Sequence, residues 1–219
     1  MKGPTSVLVV DDHALFRDGL TSLIGRWPDF EVIGTASDGA EGVQLARTLK
    51  PTMILMDVRM EPMGGVEATR LICQADPDVT VVMLTMSNLG EDMFEALRNG
   101  AHGYVSKDEP ADRLHGHLAA AMRGETALSS ALAAQVLAEF AAPRGRPNAP
   151  TPRTAETLTG RERDVLRLLV DGLSNEEIAH ELHLGEATVK KHLGRVMAKL
   201  HMRNRVQLAV YSVRQGIVD

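Results

Sequence analysis

An α/β doubly wound protein with a five-stranded parallel sheet, followed by a small all-α domain, is the fold class this sequence predicts. Three observations predict it. Five short apolar runs alternate with five helical patterns over the first 124 residues. Several of those runs are continuously apolar, the mark of strands buried on both faces. The last ~60 residues carry only helical periodicity, introduced by two capping motifs.

The strands are expected at Val7–Val10, Glu31–Thr35, Met53–Met56, Thr80–Leu84 and Gly103–Val105. Helices are expected near 13–25, 39–48, 66–74, 91–99 and 111–123. Strand-then-helix repetition calls for parallel pairing with crossovers on both faces, and such sheets hold ligands at the carboxyl ends of their strands. Residues 125–142, with Leu132, Val136 and Phe140 spaced by four, read as a helix. Prolines at 143, 147, 150 and 152 then mark a semi-extended connection. The expected organisation is a sheet domain over 1–124, a linker over 125–157 and a helical domain over 158–219.

In the helical domain, Thr159 with Glu162 and Ser174 with Glu177 fit capping boxes. Gly172 suits the stop of the first helix. A third helix is expected from about Glu186 to Leu200, and Asn204 can cap a fourth. Val206, Val210 and Val213 form one stripe on that last helix.

Composition narrows the function classes. The chain has 219 residues, 44% of them hydrophobic but only 3% aromatic, so aliphatic side chains and Met must fill the core. One cysteine, Cys73, excludes an internal disulfide and a four-cysteine zinc site. No apolar run approaches the ~18 residues of a membrane span, and the start carries no secretory signal. A cytoplasmic protein without a membrane role is expected. The net charge of −5 alone argues against nucleic-acid binding, but it is unevenly distributed. Residues 1–153 hold 14 Lys and Arg against 20 Asp and Glu, whereas residues 154–219 hold 10 against 9. Glu186 to Arg205 alone has six basic residues and one acid.

The charged residues fall at strand ends. Strand one ends in Asp11 and Asp12, strand three in Asp57, strand four in Thr85, and Lys107 follows strand five. A parallel sheet gathers all of these at one edge. Converging carboxylates raise one another's pKa values unless a cation neutralises them. Their oxygens suit Mg²⁺, which keeps waters and often binds phosphate. A carboxylate is also a nucleophile toward phosphorus, with Lys107 and Thr85 available to phosphoryl oxygens. A single Asp after a strand is ordinarily a turn former; four strand ends with complementary groups are not ordinary.

On the third helix of the C-terminal domain, Val189, Leu193, Val196 and Leu200 make a core stripe. Lys191, Gly194, Arg195 and Ala198 lie opposite, flanked by Lys190 and His192. Small and basic residues on an outer face let a helix enter the major groove and meet phosphates and bases.

The stretches "VLVVDDH", "ILMDVRM", "LTMS" and "GYVSKD", in this order, resemble the two-component response regulators of the NarL/LuxR (NarL/FixJ) family. So does "LTGRERDVLRLLVDGLSNEEIAHELHLGEATVKKHL". The resemblance spans nearly the whole chain apart from the linker. It implies a flavodoxin-like receiver domain and a LuxR-type helix-turn-helix domain. It implies that Asp57 accepts a phosphoryl group from a sensor histidine kinase. Asp11, Asp12, Asp57 and the Arg59 backbone carbonyl would hold Mg²⁺, and Thr85 and Lys107 would contact the phosphoryl oxygens. Tyr104 matches the aromatic switch position. Lys190, Lys191, His192 and Arg195, with Thr188 and Asn175, would contact double-stranded DNA. Leu208 and Tyr211 on the fourth helix would pair two copies on a two-fold operator as an activated homodimer.

The resemblance makes the chain a regulator, not an enzyme, beyond its own phosphorylation and dephosphorylation. An aspartyl phosphohydrolase of the haloacid-dehalogenase type would carry a second acid two residues after Asp57, where Arg59 stands. The alternative is a DNA-binding regulator whose receiver answers to a ligand or partner without phosphorylation. Two positions depart from the family pattern. Glu61 stands where proline commonly follows Met60 and is expected to face solvent. Met86 follows Thr85 where a small residue is common, and is expected to restrict access and slow phosphoryl turnover.

Overall fold

A computed structural model describes residues 3–86, 91–125, 127–128, 158–200, 202 and 204–217. The chain divides into two compact units. The first contains β1 (Thr5–Val10), α1 (Ala14–Ile24), β2 (Phe30–Ala36), α2 (Gly39–Leu49), β3 (Met53–Asp57) and α3 (Gly65–Ala75). It continues with β4 (Thr80–Thr85), α4 (Glu91–Asn99), β5 (Gly103–Ser106), α5 (Ala111–Met122) and β6 (Ala127–Leu128).

The strands are all parallel, in the order β2-β1-β3-β4-β5-β6. Every residue of β3 and β4 is buried, as their continuous apolar runs require when helices cover both faces. The main core packs Val7, Val9, Leu55, Leu84 and Val105 of the sheet against Leu20 and Ile24 of α1 and Leu114 and Leu118 of α5. Burying each such side chain contributes about 2 kcal/mol. The order reverses at β1, which has β2 on one side and β3 on the other. A crevice therefore opens above the ends of β1 and β3, where the helices that follow them diverge to opposite faces.

The five expected strands are present. The helix expected over 125–142 is corrected at its beginning: Ala127 and Leu128 pair with Gly103 and Tyr104 as a sixth strand. Two residues are too few to show a period, and their pairing is dictated by the open edge of β5. Residues 129–157, including the proline-rich segment, lie outside the described residues.

The second unit contains α6 (Gly160–Val170), α7 (Asn175–Glu181), α8 (Glu186–Leu200) and α9 (Arg205–Gln215). Both capping boxes form: Thr159 and Glu162 satisfy each other's backbone N–H groups, as do Ser174 and Glu177. Gly172 ends α6 with φ +90°, a left-handed conformation that glycine adopts without strain. The Asn204 side chain accepts from the Gln207 N–H at 2.9 Å and caps α9. Val165, Leu166, Leu169, Ile178, Val189, Leu193, Val196, Leu200 and Leu208 are buried together. The side chains of the Val206, Val210 and Val213 stripe lie outside the described residues.

Candidate functional site

The sheet brings the predicted acids together. Asp11, Asp12, His13 and Asp57 each offer one ligand atom, and these atoms lie within 4.8 Å of one another. Asp11 is fully buried and Asp57 is 4% exposed. Such desolvated charges need partners. Lys107 supplies one, its Nζ lying 2.7 Å from Asp11 Oδ2 and 2.8 Å from Asp57 Oδ2, with the side chain only 2% exposed. The backbone N–H of His13 donates to Asp11 Oδ1 at 2.9 Å.

Burial pushes the Asp57 carboxyl above the usual carboxylate range, and the bond and charge of Lys107 only partly offset it. For Lys107, burial alone would lower the pKa. Hydrogen bonds to Asp11 and Asp57 outweigh it and raise the ammonium above its ordinary value. The lysine therefore stays charged inside the pocket.

The loop after β3 is built closely around Asp57. A Cβ at Gly65 would lie 1.8 Å from the Asp57 carbonyl oxygen, so only glycine lets α3 begin there. The Gly65 N–H donates to Val58 O at 3.0 Å, and the Glu61–Pro62 peptide is cis. Thr85 is 8% exposed and Tyr104 is 2% exposed, on the neighbouring strands β4 and β5. Burial raises the Tyr104 phenol, so it stays protonated. Tyr104 is thus already turned inward.

An open cleft of about 710 Å³ lies over this edge, lined by Asp12, Arg59, Met60, Glu61, Glu67, Asp92 and Glu95 among others. Arg59 Nη2 faces Asp92 Oδ2 at 3.5 Å. Glu61 is exposed along the rim of this cleft. Met86 is 66% exposed immediately after Thr85. Hard oxygen donors around a crevice fit Mg²⁺, and a buried, partly compensated carboxylate pair is the environment in which such an ion binds.

Three residues of this pocket escape the sequence argument. His13 Nδ1 lies 2.6 Å from Asp12 Oδ1. Arg17 Nη1 donates to Asp11 O at 2.6 Å. The Phe16 ring lies under Lys107, with Nζ 4.8 Å from the ring centroid. A signal existed for the last: an aromatic in an aromatic-poor chain, within one helical turn of the acidic pair.

In the second unit, Lys190, Lys191, Arg195 and Thr188 are exposed on α8 opposite its buried stripe, and His192 is half-buried. Lys190 Nζ pairs with Glu186 Oε1 at 3.2 Å, four residues back. Lys191 and Arg195 have no ion pair among the described residues. Two expectations are corrected. Asn175 is 1% exposed and accepts from Arg205 Nη1 at 3.0 Å through Oδ1, so it fixes α9 and does not face a phosphate. Arg205 Nη2 also donates to Leu173 O. Leu208 is fully buried in the unit's own core, so it is no dimer contact, and Tyr211 packs half-buried against the same core. A short apolar helix seen alone cannot tell its inner face from its outer one, which is why the sequence misassigned Leu208.

A doubly wound sheet with an acidic, lysine-closed pocket, joined to a helix-turn-helix unit, defines a signal receiver coupled to a DNA-binding module. Residues 7–119 match the response regulator receiver domain, and residues 156–212 match the bacterial regulatory proteins of the luxR family. The chain is 40% identical over 216 residues to the nitrate/nitrite response regulator protein NarL of Escherichia coli K12, covering 98% of this chain and 97% of NarL. It is 39% identical over 213 residues to the transcriptional regulatory protein LiaR of Bacillus subtilis 168, covering 97% and 99%. The crystal structure of response regulator ChrA, from a heme-sensing two-component system, superposes with a TM-score of 0.53 at 30% identity, covering 99% of this chain and all of ChrA. The chain belongs to the NarL/FixJ family of DNA-binding response regulators of two-component systems.

Proposed function

We propose that Asp57 is the phosphoacceptor that switches this regulator and that a sensor histidine kinase is its donor. The observation that carries the reading is Lys107 Nζ held within 2.8 Å of both Asp11 and Asp57 at the strand edge. An Asp57 carboxylate oxygen attacks phosphorus. The bond from phosphorus to the donor's histidine nitrogen breaks as the new P–O bond forms, and the imidazole leaves. Lys107 meets the charge on the transferring oxygens, and Thr85 offers its hydroxyl to one of them. Asp11, Asp12, Asp57 and the Arg59 carbonyl would hold Mg²⁺, which supplies charge neutralisation at the phosphoryl oxygens when bound. In this reading the chain has no other substrate, and its only turnover is that of its own phosphoryl group.

Movement of Thr85 toward the phosphoryl group would alter the β4–β5 edge that also carries Tyr104. Lys191 and Arg195 are the contacts proposed for base edges or phosphates. Lys190, His192 and Thr188 flank them toward the backbone. A homodimer on a two-fold operator would double those contacts, as a small module needs for useful affinity. Its interface must use surface other than Leu208. Among the described residues no helix is long and apolar enough to cross a membrane, which suits the proposed cytoplasmic setting.

The test treats the protein with a small phosphodonor and Mg²⁺ and compares it with Asp57→Asn. Labelling of the wild type alone, accompanied by tighter binding to a duplex selected from a random pool, is expected. Equal DNA affinity with and without label would favour control by a ligand or partner.

A further inference from the structure

We propose that Phe16 is a positioning residue for Lys107, holding its ammonium in the geometry that phosphoryl transfer to Asp57 requires. The inference rests on the phosphoacceptor reading above and adds to it a residue from α1.

Lys107 has three N–H donors. Two carboxylates form ion pairs with its ammonium, at 2.7 Å to Asp11 Oδ2 and 2.8 Å to Asp57 Oδ2. The third partner is not an acceptor atom but the face of Phe16, 4.8 Å from Nζ to the ring centroid. A ring face carries negative potential and attracts a cation at this distance, more strongly where water is excluded. Lys107 meets that condition, since its side chain is 2% exposed.

The ring itself is fixed. Phe16 is half-buried and packs against the core that contains Val7, Val9, Leu20 and Val105. The next residue anchors the helix to the end of β1: Arg17 N–H donates to His13 O at 3.0 Å, and Arg17 Nη1 donates to Asp11 O. The turn that presents the ring is therefore tied to the strand that presents Asp11.

The consequence is geometric. When Asp57 gains a phosphoryl group, Lys107 must move its bond from the carboxylate to a phosphoryl oxygen. A third polar neighbour in the ring's place, such as water, would compete for that donor and let the long side chain rotate. An aromatic face takes no hydrogen bond in competition, yet keeps the charge in place. Preorganisation of this kind is how enzymes and receivers make charge stabilisation effective at the moment of transfer.

The test measures the initial rate of Asp57 labelling by a small phosphodonor with Mg²⁺ in full-length protein. Phe16→Leu is expected to slow labelling roughly tenfold, the loss a desolvated cation–π contact permits. Phe16→Tyr, which keeps a ring face, is expected to restore the rate to within about twofold. Leucine also changes packing, so the deciding series replaces Phe16 alone by phenylalanines of increasing fluorination. These weaken the ring face while scarcely changing its size. A stepwise fall in rate with fluorination supports the positioning role; a flat series overturns it. The ε-CH₂ protons of Lys107 are a second readout, independent of phosphorylation. They should be shifted upfield by the ring in the wild type and return in Phe16→Leu; an unshifted wild-type signal overturns the contact. If the wild type is labelled and only the Phe16 series is flat, the positioning role alone fails. If the wild type is never labelled at Asp57, the phosphoacceptor reading fails and takes this one with it.

Discussion

The two working surfaces of this molecule are built on opposite plans. In the receiver pocket the charged groups are hidden: Asp11 is fully buried, Asp57 is 4% exposed, and Lys107 is locked between them. On α8 the charged groups are open, with Lys191 and Arg195 projecting from a helix whose other face is core. The difference follows from what each surface has to do. Phosphoryl transfer depends on charges held in place and shielded from water, so their geometry must be preset. DNA contact depends on charges that reach outward and displace counterions, so only the helix backbone needs to be rigid. One region therefore accepts electrostatic strain in its interior, and the other places its stability in an apolar stripe beneath the surface.

Substitutions in the two regions should have effects of decreasing size. The largest concerns the stripe. Leu193→Ala, at a core position 5% exposed, should destabilise the helical unit by about 3 kcal/mol and abolish DNA binding. Denaturant unfolding followed by probes in each unit should show the receiver transition unmoved. A joint shift of both transitions would show that the units do not unfold independently.

Next is the open face. Lys191→Ala and Arg195→Ala should each weaken DNA binding by about 1–2 kcal/mol and reduce the salt slope by about one ion, with no change in helicity. Asn175→Ala should behave differently, lowering stability because it removes one of the acceptors of the Arg205 guanidinium, which burial already holds below its usual pKa. A normal melting temperature in Asn175→Ala would contradict its assignment as an internal strut.

The buried charge gives a third outcome of opposite sign. The folded Asp57 carboxyl lies above its ordinary value, chiefly through burial. The fold therefore favours the protonated form. Stability is greatest below the unfolded carboxylate pKa and falls as pH rises from there through the folded value. Asp57→Asn removes that loss, so at neutral pH it should melt higher than wild type, with the gap closing in acid. Thermal melts from pH 3 to 8 would read it; a constant gap at all pH values would contradict it.

The smallest effect involves Glu162, which is buried in its capping box and lies 2.6 Å from Lys199 Nζ. The lysine, followed by the Thr159 backbone N–H, holds this carboxyl below its ordinary value. Its stabilisation is present above the unfolded carboxylate pKa and is lost as pH falls through the folded one. Glu162→Gln should cost about 1 kcal/mol at neutral pH and nothing once both forms are neutral, measured on the same melts.

The contrast also explains what was legible in the sequence. The pocket could be read because a parallel sheet converts strand ends into neighbours, so Asp11, Asp12, Asp57, Thr85 and Lys107 met by topology alone. The stripe of α8 and both capping boxes could be read because they repeat at fixed local spacing. What could not be read depends on contacts between distant segments with no period. Ala127–Leu128 became a strand because β5 had an open edge, Asn175 turned inward to Arg205, and Leu208 faced its own core. Phe16 stands between the two: its place beside the acidic pair was visible, but its contact with Lys107 exists only in the folded sheet.

The buried pocket and the open DNA-reading face are linked only if Asp57 takes the phosphoryl group. Intact-protein mass spectrometry after incubation with a small phosphodonor and Mg²⁺, followed by peptide mapping, should find a single phosphoryl group on the peptide containing Asp57, and none in Asp57→Asn. Equal labelling of Asp57→Asn, or a phosphoryl group mapped to another residue, would contradict the account.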